Sequence, residues 1–216
     1  MMKVEAIYGG RKAPIVVQNT VQGEGMEIYD LVRQSTYKDF TFLSIGGIDW
    51  NHDMSPWDAP PMFPKDEGFT ADADDHLERI TGEILPKIIE EHDLEPEYMM
   101  LSGYSLAGLF AIYSMYRTDM FSRIVSASGS LWFPGLMDFV KDNSPMRVPD
   151  VMYLSLGDRE ARTRDPTLSK VQENTENLAR MYSDMGVDTM FELNPGNHFM
   201  DPEGRMAKGI AYALSR

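Results

Sequence analysis

A serine with nucleophilic potential lies between an apolar run and a segment with helical apolar spacing. The run Tyr98–Leu101 leads into Gly103-Tyr104-Ser105-Leu106-Ala107-Gly108, and regularly spaced apolar residues continue to Tyr113. The pattern approximates G-x-S-x-G, in which a strained strand-to-helix turn holds the serine hydroxyl in solvent. Ala107 replaces the closing glycine, but alanine adds only a methyl group and favours helix, so we expect the turn to survive. This arrangement suits attack on a carbonyl carbon, and a buried serine in a tight β–α turn is the structural alternative.

Candidates for a partner acid and base follow two later strands. Gly157-Asp158-Arg159-Glu160 comes after the apolar run Tyr153–Leu156, and His198 follows the run Phe191–Leu193 in a glycine-containing loop. Because ligands of parallel sheets bind beyond the carboxyl ends of the strands, we expect these side chains to lie near Ser105. The order serine, acid, histidine is the one that accompanies a G-x-S-x-G turn. An imidazole with an ordinary pKa of about 6.5 can act first as base and then as acid near neutrality.

Position in the chain decides between competing acids and histidines. Glu160 is the preferred acid because it stands three residues after the glycine that ends the strand, and Asp158 is the alternative, otherwise a turn former. Asp165 also follows this strand, and the nearby arginines would make the segment a solvated ion-pair cluster if none of its acids were catalytic. His198 is the preferred base because it alone follows the final strand. The remaining histidines are His76 and His92 on a predicted long helix and His52 in a long loop.

Strand and helix signals alternate along the chain. Short β-branched or apolar runs predict strands at Ala13–Gln18, Phe40–Ile45, Tyr98–Ser102, Arg123–Ala127, Val151–Leu156 and Asp188–Leu193. Apolar residues spaced by three or four predict helices at Met26–Gln34, Asp72–His92 (kinked at Pro86), Leu106–Arg117, Leu136–Lys141, Leu168–Met185 and Glu203–Ser215. The alternation predicts an α/β fold, with one domain over residues 1–216. We expect a mostly parallel sheet of about six strands with helices on both faces.

The composition restricts the chemistry and the partners. The 216 residues include no cysteine, which excludes disulfides, thiolate catalysis and cysteine-bound metals. The formal net charge of −14 argues against nucleic acid or anionic membrane as a partner. The N-terminus has no apolar leader core and no run approaches membrane-spanning length, so we expect a soluble cytoplasmic protein. The sequence leaves the oligomeric state open, a homo-oligomer included.

Three motifs together resemble the α/β-hydrolase superfamily. They are the Gly103–Gly108 elbow, Gly157–Glu160 and Gly196-Asn197-His198-Phe199. Within the superfamily the chain is most similar to the esterase D-like esterases, which include S-formylglutathione hydrolases and enterochelin esterases. The resemblance runs from about Ala13 to the C-terminus. It implies an α/β-hydrolase domain with reduced N-terminal strands, because the chain is short for this group.

The resemblance also implies an activity. Ser105 would be the nucleophile, His198 the base and Glu160 the acid that orients it. Such a serine esterase would hydrolyse a carboxylic ester or thioester of a small molecule through an acyl-serine intermediate. It would need no metal or organic cofactor. An acyltransferase or peptidase with the same triad, or a non-catalytic binding protein on the same fold, are the alternatives.

The same resemblance places an oxyanion hole. One donor would be the backbone N–H of Leu106, directly after the nucleophile. The second would come from the loop Gln18–Gly23, where Val21 is the preferred donor and Thr20 the next. Two such N–H groups stabilise the negative charge that develops on the carbonyl oxygen during attack.

A long loop from Ile48 to Pro64 should emerge beside the elbow, because it follows the second predicted strand. It contains Trp50, His52 and Trp57 together with prolines that limit its motion. Aromatic groups beside a few polar ones suit a ligand pocket, so we expect these three residues and Tyr104 to contact substrate. The alternative is that both tryptophans only pack the loop onto the domain. The polar residues around His52 lack a partner motif with ligand spacing, so no metal site is predicted.

Overall fold

A mostly parallel sheet forms the centre of the computed structural model, which describes residues 2–21, 23–62 and 67–216. Its strands in these ranges are β1 (Lys3–Ile7), β2 (Ile15–Asn19), β3 (Thr41–Gly46), β4 (Met99–Tyr104), β5 (Arg123–Ala127), β6 (Val151–Gly157) and β7 (Asp188–Asn194). They lie in the order β1-β3-β2-β4-β5-β6-β7. β1 pairs with β3 in antiparallel fashion, and all other neighbours are parallel.

Helices cover both faces of this sheet. They are α1 (Gly25–Ser35), α2 (Trp50–Asp53), α3 (Ala73–Glu78), α4 (Leu85–Glu91), α5 (Leu106–Ser114), α6 (Leu136–Asp142), α7 (Val171–Asp184) and α8 (Pro202–Leu214). A π-helical segment (Arg79–Ile84) joins α3 to α4, and a 3-10 turn (Leu168–Lys170) precedes α7. None of the helices in the described ranges has both the length and the apolar character needed to cross a membrane.

Side-chain alternation along the central strands builds two cores. In β2, Ile15 and Val17 pack into the core that includes α3 to α7, whereas Val16 packs into the core under α1 and α8. In β3, Leu43 and Phe42 divide between the same two cores. Because successive strand residues point to opposite faces, a strand that is buried on both sides is mostly apolar. β2 and β3 are accordingly rich in apolar residues, and the α/β prediction is confirmed.

The N-terminal strand β1 was not predicted, and the described residues form a seven-stranded sheet where about six strands were expected. β1 lies at the edge of the sheet, where its five residues are exposed or half-buried. Its register pairs Lys3 with Gly46 and Ile7 with Phe42. An edge strand buries little apolar area and carries charged residues such as Lys3 and Glu5, so it lacks the β-branched run that marks an inner strand.

The long helix predicted over Asp72–His92 is present but is not a uniform α-helix. The N–H of Leu85 donates to the carbonyl of Ile80, five residues back, as in a π-helix. Pro86 follows directly, and its ring would collide with the carbonyl four residues before it in a regular helix. The wider turn before Pro86 removes this collision. The predicted kink therefore takes the form of a local change in helix type.

Candidate active site

Ser105 occupies a strained turn between β4 and α5. Its backbone angles, φ 57° and ψ −123°, are rare for a residue with a side chain. The turn is tight, because a Cβ at Gly103 would overlap the carbonyl of Ala107 and one at Gly108 would lie 2.7 Å from Ser126 Oγ. Ala107 itself is buried in the core and needs no such freedom. The departure from the G-x-S-x-G pattern is therefore accommodated.

His198 links Ser105 to Glu160. Its Nε2 lies 3.1 Å from Ser105 Oγ, and its Nδ1 lies 2.8 Å from Glu160 Oε2. Glu160 follows β6 and His198 follows β7, so two adjacent parallel strands bring both residues to the carboxyl edge of the sheet. The elbow at the end of β4 lies at the same edge. The three residues singled out in the sequence thus form one hydrogen-bonded chain.

The carboxylate of Glu160 is buried and well hydrogen-bonded. Its side chain is only 5% exposed, and Oε1 accepts from the N–H of Gly157 at 2.5 Å and from Ser128 Oγ at 2.7 Å. Burial alone would raise the pKa of Glu160, but the hydrogen bonds from His198 and Gly157 hold that pKa below its ordinary value. Glu160 is therefore an anion at neutral pH, and its carboxylate can accept a hydrogen bond from His198 Nδ1.

Asp158, the alternative acid, makes different contacts. Its Oδ1 accepts from the N–H of Gly196 at 2.8 Å, and its own N–H donates to the carbonyl of Asn194 at 2.8 Å. These bonds tie the turn after β6 to the loop after β7. Of the two candidate acids, Glu160 is the one in contact with His198.

A buried arginine that the sequence analysis missed connects the same two loops. Arg205 lies on α8 with 2% of its side chain exposed. Its Nη1 donates to Glu160 Oε1 at 3.1 Å and to Ser128 Oγ at 3.0 Å, and its Nη2 donates to two carbonyl oxygens of the His198 loop, each at 3.0 Å. The guanidinium balances the buried carboxylate and holds the loop that carries the histidine. We regard Arg205 as a positioning residue.

Two cavities meet at Ser105 and His198. The larger has a volume of about 480 Å³, and its walls include Ile28, Trp50, Tyr104, Met206 and two carboxylates, Glu24 and Glu203. The smaller has a volume of about 240 Å³, and its walls include Met62, Trp132, Leu168 and Val171. Phe199, which is 85% exposed, contributes to both. A carbonyl group at Ser105 can therefore have a substituent in each cavity.

Comparison with known proteins places the chain in a family. The sequence model of the Esterase family, described as "Putative esterase", matches residues 22–199. The chain belongs to this family. It is also similar to the "Uncharacterized protein YbbA" of Bacillus subtilis (strain 168), with 23% identity over 137 residues. That similarity covers 62% of this chain and 55% of YbbA, so the chain spans about half the length of the curated relative it matches.

Solved structures of other proteins share the fold of this Esterase-family chain. The siderophore hydrolase EstA from Aspergillus nidulans superposes with a TM-score of 0.73 at 16% identity, over 99% of this chain and 94% of that one. An IroE-like serine hydrolase from Shewanella oneidensis superposes with a TM-score of 0.77 at 16% identity, over 98% of this chain and 75% of that one. The enterobactin esterase FES from Shigella flexneri superposes with a TM-score of 0.72 at 18% identity, over 98% of this chain and 54% of that one. At these identities the likeness establishes the α/β-hydrolase fold.

The predicted oxyanion donors of this Esterase-family chain occupy distinct environments. Leu106 is the first residue of α5, where the N–H groups have no acceptor within the helix. The N–H of Thr20 donates to the carbonyl of Ile45 at 2.8 Å and is thus committed to the sheet. The N–H of Val21 donates to Glu24 Oε1 at 2.9 Å, so a side chain rather than the backbone holds it. Val21 can therefore exchange its acceptor for a ligand more easily than Thr20 can.

A buried histidine supports the start of this loop. His76 is fully buried on α3, and its Nε2 lies 3.0 Å from Oδ1 of Asn19, the last residue of β2. Its ring also packs edge-on against Phe110 at 5.3 Å. Burial lowers the pKa of His76 to about 4, so the ring is neutral at neutral pH. The sequence predicts a helical position for His76 but indicates no role for it.

The four residues predicted to contact substrate have different positions. Trp50 and Tyr104 line the larger cavity, and the hydroxyl of Tyr104 donates to the carbonyl of His198 at 2.6 Å. Trp57 lies outside the described walls of both cavities: its Nε1 donates to the carbonyl of Pro134 at 2.7 Å, and its ring packs against Phe133 and Phe139. His52 also lies outside these walls. The contacts of Trp57 fit the alternative in which this tryptophan packs the loop onto the domain, because its ring lies against Phe133 and Phe139.

We expect Trp50→Ala and Trp57→Ala to have opposite effects. Loss of Trp50 removes a cavity wall, so KM should rise or the acyl preference should shift, with little change in melting temperature. Loss of Trp57 removes a packed aromatic side chain, which costs about 3 kcal/mol of stability, while kcat and KM should stay near those of the unaltered protein. Steady-state kinetics with esters of graded chain length and thermal melts of both variants test this. A Trp50→Ala protein with normal kinetics and a much lower melting temperature would show that Trp50 is structural as well.

His52 belongs to a polar cluster away from the serine. His52 Nδ1 lies 3.3 Å from Asp72 Oδ2 and 3.7 Å from Asp53 Oδ1, and the three groups could face one cation. Arg79 already supplies positive charge, since its Nη2 lies 2.9 Å from Asp72 Oδ2 and 3.5 Å from Asp53 Oδ1. The cluster thus has a counter-ion of its own, and the absence of a metal requirement stays a prediction.

Proposed function

We propose that this protein hydrolyses a carboxylic ester or thioester through an acyl-serine intermediate. The observation that carries the proposal is the unbroken chain Ser105 Oγ, His198 Nε2, His198 Nδ1 and Glu160 Oε2, with steps of 3.1 Å and 2.8 Å between the residues. A serine hydroxyl is a weak nucleophile by itself and needs an adjacent base whose orientation a third group fixes. Membership of the Esterase family supports the same reaction class.

In the first half-reaction, Ser105 Oγ attacks the carbonyl carbon while His198 Nε2 takes the hydroxyl proton. The carbonyl oxygen becomes an oxyanion, for which the N–H groups of Leu106 and Val21 are the proposed donors. The imidazolium formed on His198 is stabilised by the Glu160 carboxylate. His198 then gives its proton to the departing alcohol or thiol, and the acyl group remains on Ser105.

In the second half-reaction, water takes the place of the leaving group. His198 removes a proton from this water, the hydroxide attacks the acyl carbon, and Ser105 recovers its proton as the acid departs. The two open cavities support a small-molecule ester as substrate, with one substituent in each. The protein itself supplies the nucleophile, base and oxyanion donors, so the proposed cycle requires no cofactor.

A fluorophosphonate probe tests this mechanism directly, because it reacts with activated serines. We expect stoichiometric labelling of the folded protein, located at Ser105 by peptide mass spectrometry. Heat-unfolded protein should not be labelled, because unfolding separates the serine from its base. A folded protein that is not labelled at Ser105 would contradict the proposal and favour a binding protein on the same fold.

A further inference from the structure

The described residues that line the larger cavity include two carboxylates, Glu24 and Glu203. No lysine or arginine is among the described residues that line either cavity. The buried Arg205 is engaged by Glu160 and by the His198 loop and lines neither cavity. An anionic substituent would therefore meet like charge here, and the net charge of −14 would oppose its approach as well.

The position of Glu24 makes its charge matter for the reaction. Its Oε1 accepts the hydrogen bond of the Val21 N–H at 2.9 Å, and Val21 is the proposed second oxyanion donor. While this bond exists, the Val21 N–H is not available to the substrate. The Glu24 carboxylate then accepts the hydrogen bond that the oxyanion would accept during the reaction. A cationic group in the cavity would compete with the Val21 N–H for the Glu24 carboxylate, and a carboxylate drawn toward the cation would leave that N–H to the substrate oxygen.

We propose that the larger cavity binds a substituent that ends in a cationic group such as an ammonium, with Glu24 and Glu203 as its recognition groups. This inference rests on the proposed function, because it names the substrate class of the same site. The indole of Trp50 on the same wall suits an alkylammonium, which binds favourably over an aromatic face. The apolar side chains Ile28 and Met206 would contact the hydrocarbon that connects the cation to the ester.

The two glutamates could also be explained by their positions at the starts of helices. The experiment must distinguish this helix-stabilising role from the recognition of a cationic substrate. Glu24 directly precedes α1 and Glu203 lies in the first turn of α8, where a carboxylate stabilises the helix whether or not a ligand binds. Glu27 also lies in the first turn of α1 but is exposed and lines neither cavity. Glu27→Gln therefore changes net charge and helix electrostatics in the same way as Glu24→Gln, without altering the cavity.

The test uses three p-nitrophenyl esters whose acyl chains share one spacer and end in trimethylammonium, tert-butyl or carboxylate. The first two are alike in shape, so they differ in charge alone. We expect kcat/KM to fall by about tenfold from the cationic to the neutral ester and again to the anionic ester. This preference should weaken at high salt because the groups lie near solvent. Glu24→Gln and Glu203→Gln should each reduce it, whereas Glu27→Gln should leave it unchanged.

Separate values of kcat and KM distinguish the expected role of Glu24 from that of Glu203. Because Glu24 also holds Val21, Glu24→Gln should lower the cationic preference in kcat, while Glu203→Gln should act mainly through KM. Equal kcat/KM for the three esters, or a preference that Glu27→Gln reduces as much as Glu24→Gln does, would overturn the inference. Turnover that persists in a Ser105→Ala protein would instead overturn the proposed function itself. The unaltered protein alone decides the charge preference, so a poorly folded variant cannot obscure it.

Discussion

Replacing Ser105 by alanine should lower the turnover of short p-nitrophenyl esters roughly 10⁴-fold or more, since the hydroxyl that would form the acyl intermediate is removed. The variant should still fold, because alanine has the same backbone strain as serine at φ 57°. Turnover is measured by p-nitrophenol release and folding by thermal melting. We expect the Ser105→Ala protein to lose its activity and to keep its melting temperature. Unchanged activity would reject a serine mechanism.

A second large effect is expected at the acid. In Glu160→Gln the side-chain amide can donate to His198 Nδ1, which imposes the wrong tautomer and removes the anion that stabilises the imidazolium. By analogy with a triad aspartate replaced by asparagine, kcat should fall about 10³- to 10⁴-fold. The measurement is steady-state kinetics on the p-nitrophenyl ester that the unaltered protein turns over best.

Asp158→Asn is the matched control for the acid. Its amide oxygen can still accept from the N–H of Gly196, so the loop contact survives and kcat should change less than about threefold. The two variants together distinguish the candidate acids that the sequence left open. A larger loss in Asp158→Asn than in Glu160→Gln would assign the acid to Asp158 and contradict the proposed triad.

Much of this architecture could be predicted from the sequence because inner parallel strands and their connections leave strong signals. Strands such as β2 and β6 are buried on both faces and appear as mostly apolar runs, and the candidate site residues follow the carboxyl ends of such strands. β1 escaped prediction because an edge strand with Lys3 and Glu5 has no such run. An inner strand is recognised in the sequence by the apolar residues that it buries, and β1 buries few.

Two other features depend on tertiary contacts that no local pattern encodes. Arg205 stands beside Met206 on α8 and looks like an ordinary helix residue, but in the fold it is buried against the Glu160 turn. Trp57 and Trp50 are alike in a sequence, and only the packing of Phe133 and Phe139 shows that one of them supports the core. The distance from a loop residue to the cavity depends on the path of the loop, which its composition does not determine.

The buried pair of His76 and Asn19 should limit the acid tolerance of this protein. The pKa of His76 is about 4 in the folded protein, below its ordinary value of 6.5, so the unfolded chain binds the extra proton first as pH falls. The contribution of His76 is thus fully present above pH 6.5 and is lost as pH falls toward 4, an amount on the order of 3 kcal/mol. Asn19 directly precedes Thr20 and Val21, so a proton on His76 would disturb a contact next to the proposed oxyanion donor. Part of any loss of activity in acid would thus come from a histidine outside the proposed triad.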